Sequence, residues 1–126
     1  MLAARSILIT GGSRGIGLAT ARALAAGPRR ELALVLAARD GEALAAARIV
    51  VERAGVGHGP LRICTVEMDV GDAASVATGM QAASEFCGPL DGLVLSAGVA
   101  ESAPLAKTSD ELFERMLAVN LGRPVL

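Results

Sequence analysis

Residues Thr10 to Gly17 read Thr-Gly-Gly-Ser-Arg-Gly-Ile-Gly, directly after the apolar run Ile7-Leu8-Ile9 and directly before a helical pattern. A strand, a glycine-rich turn and a helix in that order seat a nucleotide phosphate on a helix N-terminus. The glycines serve separate ends. One lets the chain turn with φ above zero, one lets backbone N–H groups approach a pyrophosphate, and one lets helix and strand pack closely. Gly11, Gly15 and Gly17 supply the spacing Gly-x3-Gly-x-Gly. A triphosphate-binding loop is excluded. Gly12 and Gly17 are separated by the four residues it needs, but Leu18-Ala19 follows in place of Lys and Ser or Thr.

Beyond the turn, apolar runs alternate with amphipathic stretches, the pattern of repeated strand–helix units on a parallel sheet. Strands are expected at Ser6 to Thr10, Leu32 to Ala37, Leu61 to Glu67 and Gly92 to Leu95. Helices are expected at Gly15 to Ala26, Glu42 to Ala54 and from an Asp72 N-cap to Phe86. The first helix is read with Ile16, Ala19, Ala23 and Leu24 on one face and is stopped by Gly27-Pro28. A last helix begins near Ser109, with Thr108 and Glu111 at capping-box spacing. It runs into apolar residues to Leu126 with no polar tail, so the chain is expected to be one domain, 1–126, cut at its C-terminus.

Apolar residues make up 52% of the 126-residue chain and aromatics only 2%. That balance suits helices with small faces against a Val/Leu/Ile sheet. Lys and Arg total 12 against 13 Asp and Glu, without a basic cluster, so no nucleic-acid partner is expected. No apolar stretch is long enough to span a bilayer. Cys64 and Cys87 fall in no Cys-x-x-Cys pattern and read as free thiols in a reducing compartment, and the strand near the start leaves no room for a signal peptide. A cytoplasmic location is expected. His58, among loop glycines, reads as surface. Asp110, Glu111 and Glu114 open a helix and read as dipole compensation, with no metal site.

Four motifs together resemble the short-chain dehydrogenase/reductase family. They are the glycine turn, Asp69-Val70 after the third strand, Leu95-Ser96-Ala97-Gly98 after the fourth, and Val119-Asn120-Leu121 in the last helix. The resemblance implies a Rossmann-type, doubly wound α/β fold in three layers, here partial, with strand order 3-2-1-4. It implies a cofactor seat of Gly11, Ser13, Arg14, Gly15, Ile16, Gly17, Arg39, Asp40, Asp69, Val70, Ser96, Ala97 and Gly98, with Asp69 at the adenine. The family's usual Asn-Asn before Ala-Gly is replaced by Leu95-Ser96, where Ser96 can still supply a hydrogen bond and Leu95 cannot.

The choice of dinucleotide turns on the end of the second strand, where an acid would bind the ribose 2′-OH and repel a 2′-phosphate. Ala38, 21 positions beyond Gly17, stands where the family's NAD-selective Asp falls. Arg39 follows, and Arg14 lies in the glycine turn; guanidinium groups suit phosphate. NADP is therefore expected over NAD. Asp40 also reads as a helix N-cap, and Arg39 as a solvated strand end, which either cofactor would accept.

The resemblance further implies carbonyl–alcohol interconversion on a small molecule, in a homo-oligomer. Family catalysis uses a Ser and a Tyr-x3-Lys, the tyrosine moving the proton and the lysine lowering its pKa, with Asn120 in support. This chain has no tyrosine, and Lys107 is its only lysine. The chain is thus expected to be the cofactor-binding half of an oxidoreductase, inactive as it stands. The alternatives are a non-enzymatic dinucleotide-binding module and a truncated gene product.

Overall fold

A computed structural model describes residues 5–27 and 31–96. Pro28 and the helix expected from Ser109 lie outside the described residues. Among the described residues the elements alternate: β1 (Arg5–Thr10), α1 (Gly15–Ala25), β2 (Leu32–Ala38), α2 (Gly41–Ala54), β3 (Leu61–Glu67), α3 (Ala73–Cys87) and β4 (Gly92–Leu95). The four strands form one parallel sheet in the order β3-β2-β1-β4. In β2 the first six residues are buried, as a strand covered on both faces requires.

Strand alternation divides the core into two layers. Ile9, Leu34, Leu36 and Ile63 meet Ala21 and Ala25 of α1 and Leu44, Ala47 and Val51 of α2. On the opposite face Leu8, Val35, Ala37, Val66 and Met68 meet Val76, Met80 and Ala83 of α3. The sheet is therefore sandwiched between helices, with α1 and α2 on one side and α3 on the other.

The face that α1 buries differs from the sequence expectation. Gly17, Ala21 and Ala25 are buried, whereas Ile16 is 78% exposed and Ala19 and Ala23 face solvent. Spacing by four aligns three of the smallest side chains on one stripe, which lets the helix axis approach the sheet closely. Burial here follows the space available rather than the size of the apolar group. The same device recurs in α3, where a Cβ on Gly79 would lie 3.1 Å from Val66 Cγ1 and would collide with Met68 Cε.

Two side chains expected at helix starts do the capping. Asp40 accepts from the amides of Glu42 and Ala43 at 2.9 and 3.2 Å, and Asp72 accepts from Ala74 at 3.0 Å. Helix bounds otherwise shift by a residue: α1 ends at Ala25, α2 begins at Gly41 and α3 extends to Cys87. Among the described residues, no helix is long and apolar enough to cross a membrane.

Candidate dinucleotide site

β1 sits at the point where the chain reverses its direction of travel across the sheet, with β2 on one side and β4 on the other. In open parallel sheets ligands bind outside the carboxyl ends of the strands at such a point. The glycine turn leaves β1 there.

Its backbone is fixed from below. The amides of Gly11 and Gly12 both donate to the Ala37 carbonyl, at 2.7 and 3.2 Å, which ties the turn to the end of β2. Gly11 and Gly15 adopt φ of 68° and 58°, a region that strains residues with a Cβ. Gly17 is closed in differently. A Cβ there would overlap the Gly11 carbonyl oxygen and lie 2.6 Å from Ser96 Oγ. The turn thus folds back on the first helical residues because nothing projects from Gly17.

The entry to α1 has unusual electrostatics. Its N-cap is Arg14, in extended conformation (φ −162°, ψ 174°), with no side-chain cap hydrogen bond and no acid in the first turn. The first N–H groups of a helix have no intrahelical partner, and the helix dipole favours negative charge beside them. A basic N-cap works against that dipole. α2 and α3 start instead on capping aspartates. An anion at the start of α1 would satisfy both the open N–H groups and the guanidinium. Ile16, exposed in this first turn, adds an apolar surface beside it.

Other expected residues gather at the same carboxyl end. Arg39 and Asp40 follow β2 directly, and both are exposed. One oxygen of Asp40, Oδ1, is occupied as the α2 cap. Asp69 lies beyond β3, where Met68 N still bonds Ala38 O at 2.8 Å. Asp69 Oδ1 accepts from the Gly71 amide at 2.9 Å, and its own amide donates to Ser75 Oγ at 2.8 Å, so the loop is pinned to α3. Val70 packs against the α3 side of the core. Ser13 is half-buried in the turn, and Ser96 directly follows β4. Ala97, Gly98 and Asn120 lie outside the described residues.

Two residues here escaped the sequence reading as site components. Thr10 is fully buried, the one polar side chain in the core among the described residues, and it bonds Ser96. A threonine ending an apolar run just before the glycines was the available signal. Glu67, at the end of β3, reaches over to Gly41. Nothing local in the sequence announces that contact, which depends on strand pairing.

The family model described as short chain dehydrogenase matches residues 5–126. The 3-oxoacyl-acyl-carrier-protein reductase MabA of Mycobacterium tuberculosis is 37% identical over 117 residues, covering 93% of this chain and 40% of that protein. Gluconate 5-dehydrogenase of Gluconobacter oxydans is 35% identical over 115 residues, covering 91% and 42%. Among solved structures, the L-sorbose reductase of Gluconobacter frateurii complexed with NADPH and L-sorbose superposes with a TM-score of 0.66 at 28% identity. That match covers 97% of this chain and 45% of the reductase. The chain therefore spans about two fifths of the length of the curated relatives it matches. Its sheet order, its glycine turn and these similarities agree: the chain belongs to the short-chain dehydrogenase family.

Proposed function

We propose that this chain is the cofactor-binding half of an NADP-dependent oxidoreductase that interconverts a carbonyl and an alcohol on a small molecule. The observation that carries the reading is the start of α1, a helix N-terminus with open N–H groups and a basic residue where a cap should stand. A pyrophosphate fits there. The surrounding backbone leaves the room that Cβ atoms at Gly15 and Gly17 would restrict, by strain at one and by collision at the other.

In this reading Gly11, Ser13, Gly15 and Gly17 form the pyrophosphate turn, and Ile16 borders it. Arg14 and Arg39 bind a 2′-phosphate, with Asp40 beside them. Asp69 and Val70 border the adenine, and Ser96, Ala97 and Gly98 close the opposite wall. The bound cofactor supplies or accepts a hydride. Asn120 supports catalysis, while the proton-transferring tyrosine and lysine of the family belong to no part of this chain, which has no tyrosine. Residues 1–126 belong to one Rossmann domain. The full-length protein is a cytoplasmic homo-oligomer.

NADP is favoured because Ala38 contributes no carboxylate and two arginines flank the junction of the turn with β2. The NADPH complex of the sorbose reductase is consistent with that choice. The test is titration of the purified chain with NADPH and with NADH, followed by nicotinamide fluorescence. NADPH should bind more tightly, and Arg14→Ala with Arg39→Ala should erase the difference. Equal binding by the unaltered chain would refute the NADP assignment. The second reading is a dinucleotide-binding module without catalysis. Carbonyl reduction by the protein encoded by the uninterrupted reading frame decides between them.

A further inference from the structure

Ala38 leaves the end of β2 without an acid, yet a carboxylate stands beside it. The β2–β3 register pairs Ala38 with Glu67. Leu61 and Ile63 belong to the core layer under α1 and α2, so strand alternation puts Glu67 on that same face, as it puts Ala38. Neighbouring strands are about 4.8 Å apart. The Glu67 side chain then turns toward Gly41, the first residue of α2. A Cβ built on Gly41 would meet Glu67 Oε2 in close overlap and its Cδ at 3.0 Å. The missing Cβ is the space that the carboxylate occupies, and the N-terminus of α2 favours a negative charge there. Asp40 Oδ1 is committed to the amides of Glu42 and Ala43 and leaves Glu67 its own place.

We propose that Glu67 is a selectivity residue of the dinucleotide seat. Its carboxylate, held over Gly41, sets a negative charge at the corner bounded by Ala38, Arg39 and the start of α2. It opposes a 2′-phosphate and offers an acceptor to a 2′-hydroxyl, so it offsets part of the preference that Arg14 and Arg39 create. The inference rests on the reading of this end of the sheet as a dinucleotide seat. The acid that other arrangements carry on the second strand is supplied here from the third.

The test compares Glu67→Gln and Gly41→Ala with the unaltered 126-residue chain. Dissociation constants are measured for NADPH and NADH, and for adenosine 2′,5′-bisphosphate against 5′-AMP. Glu67→Gln should shift the preference toward the 2′-phosphorylated member of each pair by about tenfold, the scale of one charge acting on a nearby phosphate in water. Gly41→Ala fills the carboxylate's place and should shift it the same way. A purely structural Glu67 would change thermal stability and move both members of a pair equally, and that result overturns the proposal. Arg39→Ala separates the two levels of inference. If it removes the preference for NADPH while Glu67→Gln leaves the ratios unchanged, the Glu67 assignment fails and the NADP seat stands. Failure of the folded, unaltered chain to bind any of the four overturns both.

Discussion

Thr10 and Ser96 exchange two hydrogen bonds across the ends of β1 and β4: Ser96 N donates to Thr10 Oγ1 at 3.1 Å, and Ser96 Oγ donates to the Thr10 carbonyl. At the other end of the same strand pair, Ser6 N donates to Asp91 Oδ2 at 2.8 Å and Asp91 N donates to the Ser6 carbonyl at 2.7 Å. The short strand β4 is thus fastened to β1 at both ends. The upper fastening also stands against Gly17, whose absent side chain leaves room for Ser96 Oγ. One serine therefore couples the sheet to the glycine turn, in the position where the family resemblance implies asparagine.

Removing these two bonds should cost stability in separate steps. Ser96→Ala loses the hydroxyl bond and is expected to destabilise by about 1 kcal/mol. Thr10→Val strands the Ser96 amide without its acceptor, at a cost of about 1–3 kcal/mol. The double variant should lose close to the sum of the two, because each side chain bonds the other residue's backbone and neither single change removes the other's bond. Urea unfolding of the four proteins measures this. A double variant that loses much less than the sum would show that each bond holds only while the other is intact.

Gly17→Ala should be the most damaging single methyl among the described glycines. The added Cβ would meet backbone, the Gly11 carbonyl, together with the bonded Ser96 hydroxyl, and neither can swing aside as a flexible side-chain end can. We expect a loss of about 1–3 kcal/mol, as for overpacking in a fixed core, with NADPH binding abolished because the turn must open. Gly27→Ala is the control. Its Cβ would lie no nearer than 3.5 Å to Ala23 O, and it should leave binding intact.

Much of this architecture was legible in the sequence, because strand ends coincide with charge, glycine or proline. β3 and β4 begin and end where the apolar runs do. Asp40 and Asp72 announce α2 and α3 by local chemistry alone. The buried face of α1 was not legible by ranking apolar size, since Gly17, Ala21 and Ala25 are selected for smallness. The Thr10–Ser96 exchange joins residues 86 positions apart, and Glu67 meets Gly41 only through the β2–β3 register. Such contacts depend on how strands pair, which periodicity within a segment does not encode. The glycine turn gave the cofactor reading, while the acid opposing a 2′-phosphate had to be found on a neighbouring strand.

In the proposed function Arg14 sets stability against binding. In the extended N-cap conformation it adopts, aspartate could accept from the first-turn amides as Asp40 does for α2. Arg14→Asp should therefore stabilise the ligand-free protein by about 1 kcal/mol, by restoring a cap and reversing an unfavourable charge at the helix N-terminus. The same change should remove NADPH binding, since the carboxylate would occupy the anion's place. Thermal unfolding with and without NADPH separates the two effects. A variant less stable than the parent would show that Arg14 supports the fold itself.

The thiols make the chain's alkaline behaviour simple to interpret. Burial, reinforced by the neighbouring Cys87 and partly offset by Arg48, raises the Cys64 pKa above its ordinary value of 9.0. Burial likewise raises that of Cys87, with Asp91 adding to the rise while a Ser6 hydrogen bond and Arg62 oppose it. Below pH 9.0 both folded and unfolded chains keep these protons, and the thiols' contribution to stability is fully present. As pH rises further the unfolded thiols ionise first, so the unfolded state holds fewer protons and stability falls until the folded thiols also ionise. Few other groups titrate in this window, because the chain has no tyrosine and a single lysine. The urea midpoint should therefore decline from about pH 9 upward. Replacing Cys64 and Cys87 with alanine should flatten that decline, and an equally steep decline in the double variant would assign it to other groups.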